Sequence, residues 1–219
     1  FLPEKCVISI DLDRDNSTGV IDDDYDGEMN CGWKFPIADD DVRIRNDYNE
    51  PFDSVDIVSI GTLPDGLNES IVEKIGSNAF SIRTIGNNTW RVTPDIKVSN
   101  LQWEAYISQL YYTNALELNA TKGNRVFDIR GYYAYDTSHA KSTLYLKEKA
   151  DAGPDQYIDI CKDGAPIELK TKLINGTDLT GWFQPNLTYY DPRFNIETTF
   201  QYIVNDEGRK CPDSTTIHI

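Results

Sequence analysis

The chain has 219 residues, 21 of them basic and 36 acidic, for a formal net charge of −15. That balance argues against nucleic acid as a partner, because phosphate binding needs a basic face. The length and the 39% of hydrophobic residues suit one large or two small domains with real cores. No apolar run of about 20 residues is present, so membrane insertion is not expected.

In chain order, the first element is an apolar run, "CVISI", read as a strand and followed at once by "DLDRDNSTGVIDDDYDGEMN" with eight carboxylates and one base. Residues 1–56 carry 16 acids and 5 bases, and residues 57–219 carry 20 and 16, so the acidity concentrates around this loop. Asp11, Asp13 and Asp15 alternate, with Gly19 and Asp22 beyond them. A calcium loop offers its oxygens in this order, since a hard cation takes six to eight oxygen ligands. Asn16 stands where helix-loop-helix calcium loops have Gly, and Asp22 where they have Glu; no helical pattern flanks the loop, so an EF-hand is not expected. The alternative is a solvated acidic turn. A second cluster, "IADDDVRIRNDYNEPFD", adds Asp39, Asp41 and Asp47, which are expected to build or complete a Ca2+ site.

Further along, "SNLQWEAYISQLYYTN" places Trp103, Tyr106, Ile107 and Leu110 at helical spacing, with Ser99 and Gln102 as a capping box. One short helix is predicted there. Alternation then returns: "RVFDIRGYYAY" sets Phe127, Ile129, Tyr133 and Tyr135 on one face, and "KSTLYLK" pairs Leu144 with Leu146. After "KADAGPD" the rhythm resumes at Ile158 and Ile160, Ile167 and Leu169, Phe200, Tyr202 and Val204, and Ile217 and Ile219. Short strands divided by Gly, Pro, Asn and Asp turns predict an all-β chain of two β-sandwiches in tandem, residues 1–148 and 149–219.

Cys6, Cys31, Cys161 and Cys211 fall in two groups, which favours Cys6 with Cys31 and Cys161 with Cys211. Paired cysteines imply an oxidising, extracellular or cell-surface setting. No leader precedes Phe1, so a processed protein or an internal fragment is expected. Six N-x-S/T sequons, at Asn16, Asn68, Asn87, Asn119, Asn175 and Asn186, fit glycosylation in a secreted glycoprotein or simply a turn-rich composition. His139 and His218 read as surface residues without a triad or metal motif, so no enzyme activity is expected. Trp103 and Trp182 read as core, which leaves Trp33 and Trp90 as candidates for stacking against sugar rings.

The stretch from "CVISIDLDRDNSTGVIDDDY" through "FPIADDDVRIRNDY", "VDIVSIGTLPDGLNES" and "LQWEAYISQLYYTNA" to "RVFDIRGYYAYDTSHAKSTLYL" resembles cadherin-like repeats of very large Bacteroidota surface proteins. Those repeats typically carry an I-A-D-x-D turn, a P-D-G-x-x-E turn, and a helix before a strand that begins with Arg. The tail, "DAGPDQYIDICKDGAPIEL" to "YIVNDEGRKCPDSTTIHI", is similar to small immunoglobulin-like repeats of gliding-associated, type IX-secreted adhesins. The resemblance implies an extracellular structural or adhesive module of a filament, stiffened by calcium and disulfides, with neighbouring repeats or filament subunits as partners. A carbohydrate-binding module that meets surface glycans is the alternative.

Overall fold

The computed structural model describes residues 7–20, 22–27, 34–48, 50–86, 88–196, 198–205 and 210–219. The chain divides into two compact units, Phe1–Leu146 and Lys147–Ile219. Both are built from strands, and the chain's α-helix is a single short one among the described residues.

The first unit contains β1 (Ile8–Asp11), β2 (Tyr25–Asp26), β3 (Lys34–Pro36), β4 (Arg43–Asn46), β5 (Ser54–Ser59), β6 (Glu69–Glu73), β7 (Phe80–Gly86), β8 (Thr89–Pro94), α1 (Asn100–Ile107), β9 (Leu110–Asn114), β10 (Gly123–Tyr133) and β11 (Asp136–Leu146). A six-stranded sheet runs in the order β2-β11-β10-β5-β8-β7, a three-stranded sheet as β3-β9-β6, and β1 pairs with β4. The alternation along β10 and β5 puts Phe127, Ile129, Val55 and Ile57 into one core with Tyr112 of β9, Ile71 of β6, Ile10 of β1 and Ile44 of β4. The Tyr112 and Phe127 rings meet with centroids 6.0 Å apart. Gly131 of β10 is required by this approach, since a Cβ there would lie 2.6 Å from Phe52 and 2.8 Å from Ile10.

Helix α1 starts at the expected cap. Ser99 Oγ accepts from Gln102 N at 3.3 Å, and Gln102 Oε1 accepts from Ser99 N at 2.9 Å. Trp103, Tyr106 and Ile107 are buried, and Trp103 Nε1 donates to the Phe52 carbonyl at 3.1 Å. Leu110 is buried too, but as the first residue of β9. Tyr135 departs from its expected face. The β10–β11 hairpin turns there, with Ala134 at φ 51°, so Tyr135 stands fully exposed at the tip.

The second unit contains β12 (Glu148–Lys149), β13 (Gln156–Tyr157), β14 (Ile167–Glu168), β15 (Trp182–Gln184), β16 (Tyr189–Tyr190), β17 (Thr199–Val204), β18 (Lys210–Cys211) and β19 (Asp213–His218). Its main sheet runs β13-β19-β17-β15, flanked by the pairs β12-β18 and β14-β16. Leu169, Phe183, Tyr190, Phe200, Tyr202, Val204 and Ile217 form its core. Trp182 is not part of it. Strand β15 registers Phe183 opposite Tyr202, ring against ring at 4.9 Å, so the neighbouring Trp182 faces outward and is 45% exposed.

The predicted Cys161–Cys211 bridge is corrected. Cys161 is a free thiol on an exposed turn closed by the Gly164 N–H on the Cys161 carbonyl at 2.8 Å. Cys211 is buried in the β12–β18 ladder and is disulfide-bonded, so the two cysteines are not joined to each other. Cys6 and Cys31 lie outside the described residues, as do Trp33 and Asn87.

Candidate metal centre

Strands β1 and β4 pair antiparallel, with Ile10 opposite Ile44 and Asp11 opposite Arg43. The chain leaving β1 and the chain entering β4 therefore share one end of the ladder. This brings Asp13 and Asp15 to Asp39 and Asp41. One carboxylate oxygen from each of the four lies within 4.8 Å of the others. The two acidic stretches thus build one cluster rather than two.

The pairing also decides which expected ligands stay out. Asp47 follows β4 at its far end, about 13 Å of strand away. There it accepts from Val7 N at 2.9 Å and from Arg45 Nε at 2.9 Å. Asp11 lies at the ladder's end but turns to accept the Asp13 N–H at 3.2 Å. Asp22, at φ 89°, sits further along the loop and is not brought into the cluster. Asn16 takes the left-handed conformation that Asn tolerates, with φ 55°.

The loop wraps donors around its carboxylates. Asp13 is fully buried; its Oδ1 accepts from Ser17 N at 3.0 Å, and its Oδ2 from Thr18 N at 2.9 Å and from the Thr18 hydroxyl. Asp41 accepts from Arg14 N and Asp15 N, both at 3.0 Å. Asp39 accepts from Asp40 N at 2.6 Å and Ser17 Oγ at 2.8 Å, and Asp15 accepts from Ser17 N at 2.9 Å. Burial opposes the charge on Asp13, but the Thr18 and Ser17 donors outweigh it and hold its pKa below the usual carboxylate value. Asp11 moves the other way. Burial raises its pKa, the Asp13 N–H opposes that only partly, and the charges of Asp41 and Asp13 push it further up. Burial raises Asp23 likewise, reinforced by Asp11, Asp22 and Asp24.

Among the described residues, none of the four clustered carboxylates is in an ion pair with Lys, Arg or His. The donor set is all oxygen and formally tetra-anionic, which suits a hard divalent cation. A recess of about 490 Å³ opens beside it, with Ser17, Thr18, Asp39, Tyr25, Phe35 and Leu144 in its lining.

A second carboxylate cluster was not picked out as a site from the sequence. Arg125, 1% exposed, donates from Nη2 to Glu69 Oε1 at 2.6 Å and to Asp65 Oδ2 at 3.2 Å. Asn114 and Thr121 complete it: Asn114 Nδ2 reaches Asp65 Oδ2 at 2.7 Å, and Thr121 N reaches the same oxygen at 2.9 Å. Burial opposes the charge on Asp65, but Thr121, Asn114 and Arg125 together hold its pKa below the usual value. The signal was present in the Pro-Asp-Gly-x-x-Glu turn and in the strand that opens near Arg125.

Of the remaining candidates, Trp90 is buried against Phe127 with ring centroids 6.3 Å apart, so it offers no sugar platform. Asn16, Asn68, Asn119, Asn175 and Asn186 are exposed. His139 Nδ1 lies 3.1 Å from Asp128 Oδ1 on the outer face of the six-stranded sheet.

No protein-family profile matches the chain, and no curated protein matches it in sequence. Among solved structures, it is similar to the third ScaB cohesin of R. flavefaciens, solved in complex with a group 1 dockerin, at TM-score 0.31 and 13% identity over 66% of this chain and 98% of that one. It is also similar to the endo-fucoidan hydrolase MfFcnA9 of glycoside hydrolase family 107, at TM-score 0.16 and 12% identity over 74% of this chain and 27% of that one. A third structure, the protocadherin GammaB4 extracellular domain, gives TM-score 0.14 and 10% identity over 86% of this chain and 38% of that one. Likeness at this level carries no functional argument, and the fold stands on the sheets described above.

Proposed function

We propose that this protein is an extracellular structural and adhesive module, and that Asp13, Asp15, Asp39 and Asp41 hold one Ca2+ that locks the end of the first sandwich. The observation that carries this reading is the convergence of four carboxylates from two loops. Asp13 and Asp41 are oriented by backbone N–H groups, so the loop fixes the ligands before an ion arrives. A calcium ion would draw its remaining oxygens from backbone carbonyls and water. Bridging the loop after β1 to the loop before β4 would stiffen one end of the domain, as a repeat in a load-bearing stalk requires. The disulfide at Cys211 supports an oxidising compartment. Among the described residues no helix is long and apolar enough to cross a membrane. Proteins of the same surface, as neighbouring repeats or filament subunits, are the proposed partners.

The test is a melting curve of the whole chain in EDTA and then in millimolar calcium at constant ionic strength. A ligand at about 100 times its Kd stabilises the folded state by roughly 2.7 kcal/mol. Magnesium is expected to substitute poorly, because it demands tighter octahedral geometry. An unchanged midpoint together with no calcium heat in calorimetry reduces the cluster to a solvated acidic turn.

A further inference from the structure

We propose that the outer face of the four-stranded sheet in the second unit binds an extended, uncharged glycan chain. Along β15, β17 and β19 alternate residues enter the core, and the others form a solvent face. The two edge strands of this face each present an aromatic ring: Tyr157 on β13 is 81% exposed and Trp182 on β15 is 45% exposed. Between them stand the amides of Gln184 and Gln201, the Thr216 hydroxyl and the His218 imidazole. The Tyr157 and His218 rings stack face to face with centroids 4.6 Å apart and planes at 11°, so the imidazole backs one face of Tyr157 and holds the ring in place, while the 81% exposed tyrosine keeps its other face open to solvent.

Charge decides the class of ligand. Asp, Glu, Lys and Arg make up 26% of the chain, yet none of them projects outward from the paired stretches of these four strands. Asp155, beside β13, is already engaged: its Oδ1 accepts from Thr216 N at 2.7 Å and from Thr215 Oγ1 at 3.2 Å. An anionic ligand would find no Lys or Arg on the face, and a chain of net charge −15 repels acidic polymers; a cationic one would meet a single carboxylate, Asp155, at the edge beside β13. A sugar ring instead offers apolar faces to aromatic side chains and hydroxyl edges to amides and hydroxyls. Tyr157 and Trp182 lie three strand intervals apart, about 14 Å, and the register from Thr199 to Ile203 adds about 13 Å along the strands. That separation suits a chain of sugars rather than a single ring.

The experiment is affinity electrophoresis of the whole chain through gels containing mixed-linkage β-glucan, galactomannan or arabinoxylan, with polygalacturonate as the acidic comparison. At least one neutral polymer is expected to retard the protein. Trp182→Ala and Tyr157→Ala, both surface changes, are expected to keep the wild-type melting temperature and to bind about tenfold more weakly, the loss of one ring contact. Tyr135→Ala, which removes the fully exposed tyrosine of the first unit, is expected to change nothing. The proposal is overturned by any of four results: no retardation by a neutral polymer, undiminished retardation of the Trp182→Ala/Tyr157→Ala double variant, an equal loss in Tyr135→Ala, or stronger retardation by polygalacturonate.

Discussion

The first unit holds two carboxylate clusters and treats their charge in opposite ways. Asp65 and Glu69 lie against a buried guanidinium, so the chain supplies its own counter-charge. Asp13, Asp15, Asp39 and Asp41 are held by backbone N–H groups and hydroxyls, which orient the carboxylates but cancel no formal charge. The difference is why only the second cluster is proposed as an ion site. An arginine offsets part of the negative charge around it, whereas dipoles leave a field of one sign. Glu69 Oε2 shows the cost of the first solution, since it is buried without a partner.

Breaking the Arg125 cluster gives the largest expected effect. Arg125→Met leaves Glu69 and Asp65 charged and buried, and urea unfolding is expected to show a loss of about 3 to 5 kcal/mol. Adding Glu69→Leu removes the orphaned charge and is expected to recover much of that loss. Asp65 stays satisfied in that variant by Asn114 and Thr121. If the double variant proves no more stable than the single one, Arg125 acts mainly by filling space.

Sharpening the contrast at the other cluster requires an isosteric change. Asp39→Asn can keep both of its hydrogen bonds, because its carbonyl accepts from Asp40 N and its amide can donate to Ser17 Oγ. In EDTA its stability is expected to stay within about 0.5 kcal/mol of the parent. In millimolar calcium the gain in melting temperature should shrink. A full calcium gain in this variant removes Asp39 from the ligand set.

The smallest effect is the pH dependence of the arginine-bound cluster. The folded pKa of Asp65 is depressed, so its contribution is complete above the ordinary carboxylate value and is lost as pH falls through the lower folded value. Asp65→Asn is therefore expected to flatten the acid limb of the stability curve. Identical acid limbs in the parent and the variant would mean that Thr121, Asn114 and Arg125 do not depress this group.

Much of this architecture was legible in the sequence, because it depends on short-range periodicity. The alternation through Phe127 and Ile129 and through Phe200, Tyr202 and Val204 specifies half-buried strands wherever the chain pairs them. The Ser99–Gln102 box closes over three residues, so the start of the helix needed no tertiary information. The density of acids around residues 11–15 and 39–41 was likewise plain. Composition cannot say which of those acids meet. That depends on the antiparallel register of β1 and β4, which joins Asp13 and Asp15 to Asp39 and Asp41 and sends Asp47 to the far end. The same holds for Trp182, which β15 turns outward by registering Phe183 on Tyr202, and for Cys161, whose turn keeps it apart from Cys211. The sequence marks Arg125 only as the start of a strand, and the fold encloses it with two carboxylates more than fifty positions away. Local pattern sets which faces of the chain shun water, and only the long-range pairing of those faces decides which charges must be buried together.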